Sequence, residues 1–238
     1  MNSNKNATID FLLYSYFGIT SCCEKEEMIN ACIKRAYLDA CRTIHFPSRN
    51  AFTKSDSKGY YFLTEASAVI HSQLEDALLQ DDFHVWHEKT CNRLIAIGET
   101  ASMKTFYGSA IYLTYGHAQK WVNMTMKYLY LLETLLEKGY IQCDWKKLHV
   151  PIDSYIVEAF DNKTEDKTEQ ILGTATWSNI DDAAKYKNYQ QKIADISAKE
   201  VPINWEGPAW IEVAKERSKK EQGKKDKRLE ELKTILLK

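Results

Sequence analysis

The sequence predicts an all-α protein, and three observations carry that expectation. Apolar residues recur at spacings of three and four over most of the chain. No segment longer than four residues alternates cleanly between apolar and polar, and no internal repeat is present. Only 9 Gly and 4 Pro in 238 residues leave few of the breaks that a turn-rich β architecture needs. With 44% apolar residues, 14 Tyr and 6 Trp, the chain can bury a sizeable core.

The elements follow in order. Ser21 and Glu24 form a capping box that opens a helix with an apolar stripe of Ile29, Ile33, Ala36, Tyr37 and Ala40. Pro47 to Gly59 is polar and broken, hence a loop. Thr64 caps a helix carrying Ala66, Ile70, Leu74 and Leu78, and Asp81 and Asp82 stand where the next one, through Trp86 and Leu94, begins. Met103 to Leu113 is a further apolar segment that ends in a sharp break at Gly116.

The strongest periodicity lies in Ala118 to Lys138, with Val122, Met126, Leu129, Leu132 and Leu136 on one face and Gly139 as the stop. This predicts a central helix about 30 Å long. Asp153 and Ser154, behind Pro151, open a short helix through Phe160, and Asn162 to Gly173 is a polar loop. Ser178 with Asp181 starts a helix that ends near Lys199; Pro202 breaks it, and Pro208 fits the first turn of the last helix.

Charge divides the chain. Ten Lys/Arg and five Asp/Glu lie between Lys215 and Lys238, so this stretch carries +5 and the remainder −6. The expected organisation is one helical domain over 1–214 and a charged C-terminal helix or tail over 215–238. An acidic body is the wrong sign for gripping a polyanion by bulk electrostatics. No run of about 18 apolar residues is present to span a bilayer, and the polar Met1 to Ala7 reads as no signal peptide. The six cysteines form no CxxC pair and no zinc or iron–sulfur spacing. The expected location is the cytoplasm, associated with the nucleoid.

Four features carry candidate chemistry. Gly116-His117-Ala118-Gln119-Lys120 lies between two helical segments, where free amides at a helix start make an anion site for one phosphate, at Gly116, His117 and Ala118. Lys120 falls in the first turn of the long helix. As a nucleophile it must be neutral, so an amine pKa near 10.4 has to fall towards neutrality, roughly 4 kcal/mol of environment. Asp153 in Val150-Pro151-Ile152-Asp153 is a helix N-cap whose carboxylate stays ionised and can face a cationic sugar. Glu206 and Trp210, four apart, share a helix face and offer an acceptor and a stacking plane to an extruded base. Each has a plain structural reading too: a helix–helix turn, a surface lysine, a simple cap, a core tryptophan. His84 and His87 make an H-x-x-H without a third ligand at metal spacing, and His117 and His149 read as turn-capping residues.

The order Gly116-x-Ala118-x-Lys120 followed by Val150-Pro151-Ile152-Asp153 resembles the helix-hairpin-helix DNA glycosylases. It is most similar to the archaeal-type 8-oxoguanine DNA glycosylases. The lysine and aspartate are 33 residues apart, the wider separation of that branch; Lys127 stands seven after Lys120; and Glu206 and Trp210 follow Ile196-Ser197 and Pro202. The likeness covers about Ser102 to Val213. Thr114-Tyr115 stands where the family has Leu-Pro, Ala118 replaces a Gly, and Glu206 replaces an Asp.

The resemblance implies a two-lobed helical bundle with interleaved lobes and a hairpin at about 113–120. It implies excision of a damaged, oxidised purine from double-stranded DNA through a lysine Schiff base, with β-elimination and without metal or redox cofactor. Lys120 and Asp153 would be catalytic, Glu206 and Trp210 base-binding, and Gly116, His117 and Ala118 phosphate-binding. Two other readings stay open: a non-catalytic helical interaction or regulatory protein with a glycosylase-like fold, its charged tail meeting a protein partner, and a small-molecule enzyme using the same lysine.

Overall fold

The computed structural model describes residues 2–44, 58–77, 83–100, 113–141, 143–163, 176–197 and 200–236. Among these residues all regular structure is helical. Eight α-helices follow in order: α1 (Asn2–Phe17), α2 (Lys25–Ile44), α3 (Lys58–Ala77), α4 (Phe83–Thr100), α5 (Tyr115–Leu136), α6 (Ser154–Asp161), α7 (Ala183–Ile196) and α8 (Pro202–Leu236). None is long and apolar enough to cross a membrane.

The core is built around α5, whose fully buried Trp121 meets Tyr37 of α2 and Phe62 of α3 at ring separations of 5.0 and 5.9 Å. The Trp121 indole donates to the Ile33 carbonyl at 3.0 Å, so even the polar end of this side chain is satisfied inside. α4 lies on α3 and α5, and α6 lies on α8. At the C-terminus of α5 the buried Glu133 carboxylate receives the amides of Tyr140 and Ile141, and the chain reverses through left-handed Glu137 and Gly139. Gly139 thus acts just past the end of the helix, as its position in the sequence suggests.

Several boundaries differ from those the sequence predicts. α2 begins at Lys25, not Ser21: the Glu27 carboxylate takes the Glu24 amide, while the Ser21 amide goes to Asp10 of α1. α3 starts at Lys58, so Thr64 is interior rather than a cap. The N-cap of α7 is Asp182, whose side chain accepts from Lys185, and Trp177–Asn179 forms a separate 3₁₀ turn where the sequence places the helix start. Pro202 occupies the first position of α8 and Pro208 lies inside it, the reverse of the expected assignment; Pro202 costs no backbone bond, whereas Pro208, the seventh residue, removes the amide that would reach the Asn204 carbonyl. Helix α1 has no counterpart among the expected elements. It exposes Phe11, Leu12 and Tyr14 while burying Leu13, so its apolar residues mark no single face. The segment from Met103 to 112, residues 47–57, Asp81 and Asp82, and 164–173 lie outside the described residues.

Between α4, α5 and α7 a polar cluster replaces apolar core. His149 bridges His84 at 2.7 Å and the Tyr186 hydroxyl at 2.9 Å; that hydroxyl is 3.3 Å from His87 Nε2, and His87 Nδ1 is 3.3 Å from the Tyr115 hydroxyl. His149 is thus no turn cap. Burial pulls His87 down to about 3, with His84 acting in the same direction, and pulls His149 well below its ordinary value, helped by His87, His84 and Lys187. Both are neutral in the fold, whereas unfolded histidine takes up a proton below about pH 6.5. The stability they support is therefore complete above about pH 6.5 and lost as the pH falls below it, for His87 down to about 3. Urea unfolding between pH 7 and 5 should show a decline approaching about 1.4 kcal/mol per pH unit for each of the two histidines; a flat profile would mean that the cluster carries charge or water in the native state.

Candidate active site

The site begins with a stretch of extended chain that has no neighbouring strand among the described residues. Leu148 to Ile152 is buried, so its amides and carbonyls need partners from elsewhere. Side-chain amides supply them. Gln190 of α7 accepts from the Val150 amide at 2.9 Å and donates to the Val150 carbonyl at 2.7 Å. Gln119 of α5 accepts from the Ile152 amide at 3.3 Å and donates to the Ile152 carbonyl at 3.0 Å. Asn123, one turn on, donates to Val150, to Gln119 and to the Tyr186 hydroxyl. The result is a short mimic of β pairing that pins Pro151 to the flank of α5 and fixes where the next residue stands.

That residue is Asp153. It is extended (φ −138°, ψ −179°) and caps α6, its Oδ1 accepting from Tyr155 and Ile156 at 2.9 and 3.1 Å. Its other oxygen lies 3.7 Å from Lys120 Nζ, and the two side chains are only 15% and 11% exposed. The amine also stands 4.6 Å from the centre of the Trp177 ring. Residues 33 apart in sequence are thus brought to one point. Lys120 is the sixth residue of α5, in its second turn rather than its first; the helix dipole acts weakly there, so burial and Asp153 dominate its surroundings.

Lys120 and Asp153 open into a cavity of about 340 Å³ also lined by Tyr16, Arg35, Asp39, Met124, Lys127, Tyr128, Glu206 and Trp210. Glu206 is 2% exposed and ion-paired with Lys127 at 2.5 Å. Burial pushes its carboxyl up while Lys127 works against that shift. Trp210 stacks on Tyr155 of α6 with centroids 4.7 Å apart. On the opposite wall Arg35 pairs with Asp39 at 2.6 Å and sits 4.0 Å over the Tyr16 ring, and the Tyr128 hydroxyl donates to Asp39. Three cations and three carboxylates share the cavity, so its charge is balanced.

All four expected catalytic and base-binding positions therefore meet in one place. Lys127, which the sequence marks only as the second lysine of a helix, joins them. Sequence reasoning misses Tyr16, Arg35, Asp39, Met124 and Tyr128. Arg35 and Asp39 are four apart on a helix, a visible pair, but nothing in the sequence says which flank of α2 faces α5.

The expected phosphate site is not formed by open amides. Gly116 lies inside the first turn of α5 rather than at a break, and its amide donates to the Ile180 carbonyl at 2.9 Å. The His117 amide goes to the Thr114 hydroxyl and the Ala118 amide to the Thr114 carbonyl. His117 completes a capping box by accepting the Thr114 amide at Nδ1, and burial, with Lys120 nearby, lowers it to about 4. Thr114 at the cap, hydrogen-bonded through its hydroxyl to the Ser178 carbonyl, has already satisfied this helix start. Gly116 serves a different purpose: a Cβ there would stand 2.2 Å from the Trp177 carbonyl oxygen. Among the described residues no cluster of His, Cys, Asp or Glu is arranged to hold a metal ion.

No family model, curated protein or solved structure matches the chain.

Gly116→Ala tests how tightly the Trp177 turn is held against α5. The new methyl meets backbone, which cannot rotate away, so the substitution should cost about 2 kcal/mol and lower Tm by about 4–8 °C. Near-ultraviolet circular dichroism should report a changed Trp177 environment. An unaltered Tm would show that the turn moves freely.

Proposed function

We propose that the protein is a DNA glycosylase with lyase activity, which removes a damaged, oxidised purine through a Schiff base on Lys120. The observation that carries this reading is the shielded approach of Lys120 Nζ to the Asp153 carboxylate within a cavity walled by aromatic rings. An amine that attacks a sugar carbon needs a proton acceptor and a nearby negative charge, and Asp153 offers both while its cap bonds hold it in place. The cavity lies near the lower end of the range for ligand sites, suited to a single base. Its balanced charge favours a neutral, planar, polar ligand over a free phosphate, and Trp210, backed by Tyr155, offers the stacking surface.

The chemistry runs in three steps. Lys120, having lost its extra proton to solvent, forms a bond to C1′ as the glycosidic bond breaks; Asp153, ionised until then, takes the proton that the attacking nitrogen sheds and passes it to the departing base. Opening of the sugar gives an imine on Nζ; loss of a C2′ proton then expels the 3′ phosphate. Asp153 stabilises the positive charge at C1′ before the new bond is complete. Glu206 and Lys127 present a carboxylate and an ammonium to the edge of the base. This reading places the cavity between two lobes, takes about 113–120 as the hairpin of a helix-hairpin-helix element, and puts the phosphate contact on groups other than the amides of Gly116, His117 and Ala118. Duplex DNA carrying a lesion is the partner it requires.

Borohydride trapping on duplexes containing 8-oxoguanine, uracil or an abasic site tests it. The wild type should crosslink to at least one of these and Lys120→Gln to none, with helicity unchanged. Asp153→Asn separates capping from charge: an asparagine still caps α6, so the stability change should stay within about 0.5 kcal/mol, while trapping slows by about 10²-fold or more. Absence of any crosslink from a folded wild type, or trapping that survives Lys120→Gln, would overturn the assignment.

A further inference from the structure

Helix α8 is 35 residues long, about 52 Å at the usual rise, and among the described residues its buried positions all lie in its first part. Glu206 and Trp210 line the cavity, and Val213 is buried. Arg217 then anchors the helix to the N-terminal end of α6: it donates to the Ser154 carbonyl at 2.8 Å and to Glu158 at 2.7 Å, and lies 4.1 Å over the Tyr155 ring. Beyond it every residue from Ser218 to Leu229 is exposed.

The face of the helix does not change as it leaves the body. At 3.6 residues per turn, Glu206, Trp210, Val213, Arg217, Lys220, Lys224 and Arg228 fall within an arc of about 80°. Lys227 and Glu221 lie about 20° outside it on opposite sides, Asp226 on the far side, and Glu231 closes the row. The stripe that walls the cavity thus continues outward as a basic row. Lys220 with Lys224, and Lys224 with Arg228, are like-charged neighbours at four residues' separation, a repulsion that Glu216, Glu221 and Glu231 at the same kind of spacing offset only in part. An external polyanion relieves that repulsion. A lipid surface is a poorer match, because the positions of Leu229, Leu232 and Leu236 gather about 80–140° from the centre of the row and only over the last turns of the helix, beyond Lys220 and Lys224 rather than beside them.

We infer that the projecting half of α8 is an arm that binds the phosphate backbone of duplex nucleic acid through Lys220, Lys224 and Arg228. It rests on the proposed function for the identity of the duplex, and it removes the conflict between a net acidic body and a polyanionic partner. Phosphate binding is confined to one row, held in line with the cavity by Arg217.

The test is fluorescence anisotropy of the full chain on an undamaged duplex across a salt series. The triple variant Lys220→Gln/Lys224→Gln/Arg228→Gln is compared with Lys215→Gln/Lys219→Gln/Lys225→Gln, which removes the same charge from other faces. Neutralising one phosphate-binding side chain lowers the slope of log K against log salt by about 0.9, so the first triple should reduce it by about 3; it should weaken binding at least tenfold at low salt, and the second triple should do far less. Equal losses from both triples, wild-type binding by the first, or wild-type binding to phosphatidylserine vesicles that the first triple abolishes and that displaces duplex would each overturn the arm. Borohydride trapping at saturating duplex should be unchanged by the first triple. If the wild type never traps yet the first triple still weakens duplex binding, the arm stands and the glycosylase assignment falls; if trapping is intact and binding is unaffected, only the arm falls.

Discussion

The arrangement depends on how the buried strand-like segment Val150 to Ile152 satisfies its backbone. An extended chain inside a helical protein has no ladder to join, and each orphaned amide or carbonyl costs about 1–3 kcal/mol. Gln119, Asn123 and Gln190 take the place of a neighbouring strand. Because Gln119 precedes Lys120 and Ile152 precedes Asp153, the same bonds that solve the backbone problem set the separation of the amine and the carboxylate. Positioning and stability are therefore one interaction.

A second layer of polar groups continues behind this clamp. Asn123 passes the network to Tyr186, and Tyr186 to His149 and His87, so three helices share one connected set of buried hydrogen bonds. Networks of this kind favour a single arrangement of their members, since other arrangements leave more groups unpaired in a low-dielectric interior than the Asn123 Oδ1 that is unpaired here. The aromatic packing of Trp121 with Tyr37 and Phe62 provides the apolar counterpart on the other side of α5. The long helix is thus gripped from two sides by different physics, and the row Lys120, Met124, Lys127, Tyr128 is left to face the cavity.

The cavity and the arm divide the electrostatic work. Inside, Arg35, Lys120 and Lys127 are matched by Asp39, Asp153 and Glu206, so burial of charge is offset locally. Outside, the basic residues of α8 stand in water, where they act over a distance that salt controls. A net charge of −1 for the whole chain conceals both features.

Helical class, the central helix, the Asp153 cap and the shared face of Glu206 and Trp210 are legible in the sequence, because each follows from local rules: 3.6-residue periodicity, cap chemistry, i,i+4 spacing. Helix α1 is not, since apolar residues on both of its sides leave no stripe to read. Nor is the capping box of Thr114 and His117, because Gly116 reads locally as a break and only the Trp177 carbonyl reveals why glycine stands there. The convergence of Lys120 with Asp153, and the arrival of Arg35 and Asp39 from α2, are decided by tertiary structure alone. A sequence records which face of a helix is apolar, but the partner that covers it, and the flank left beside a cavity, depend on packing between segments far apart in the chain.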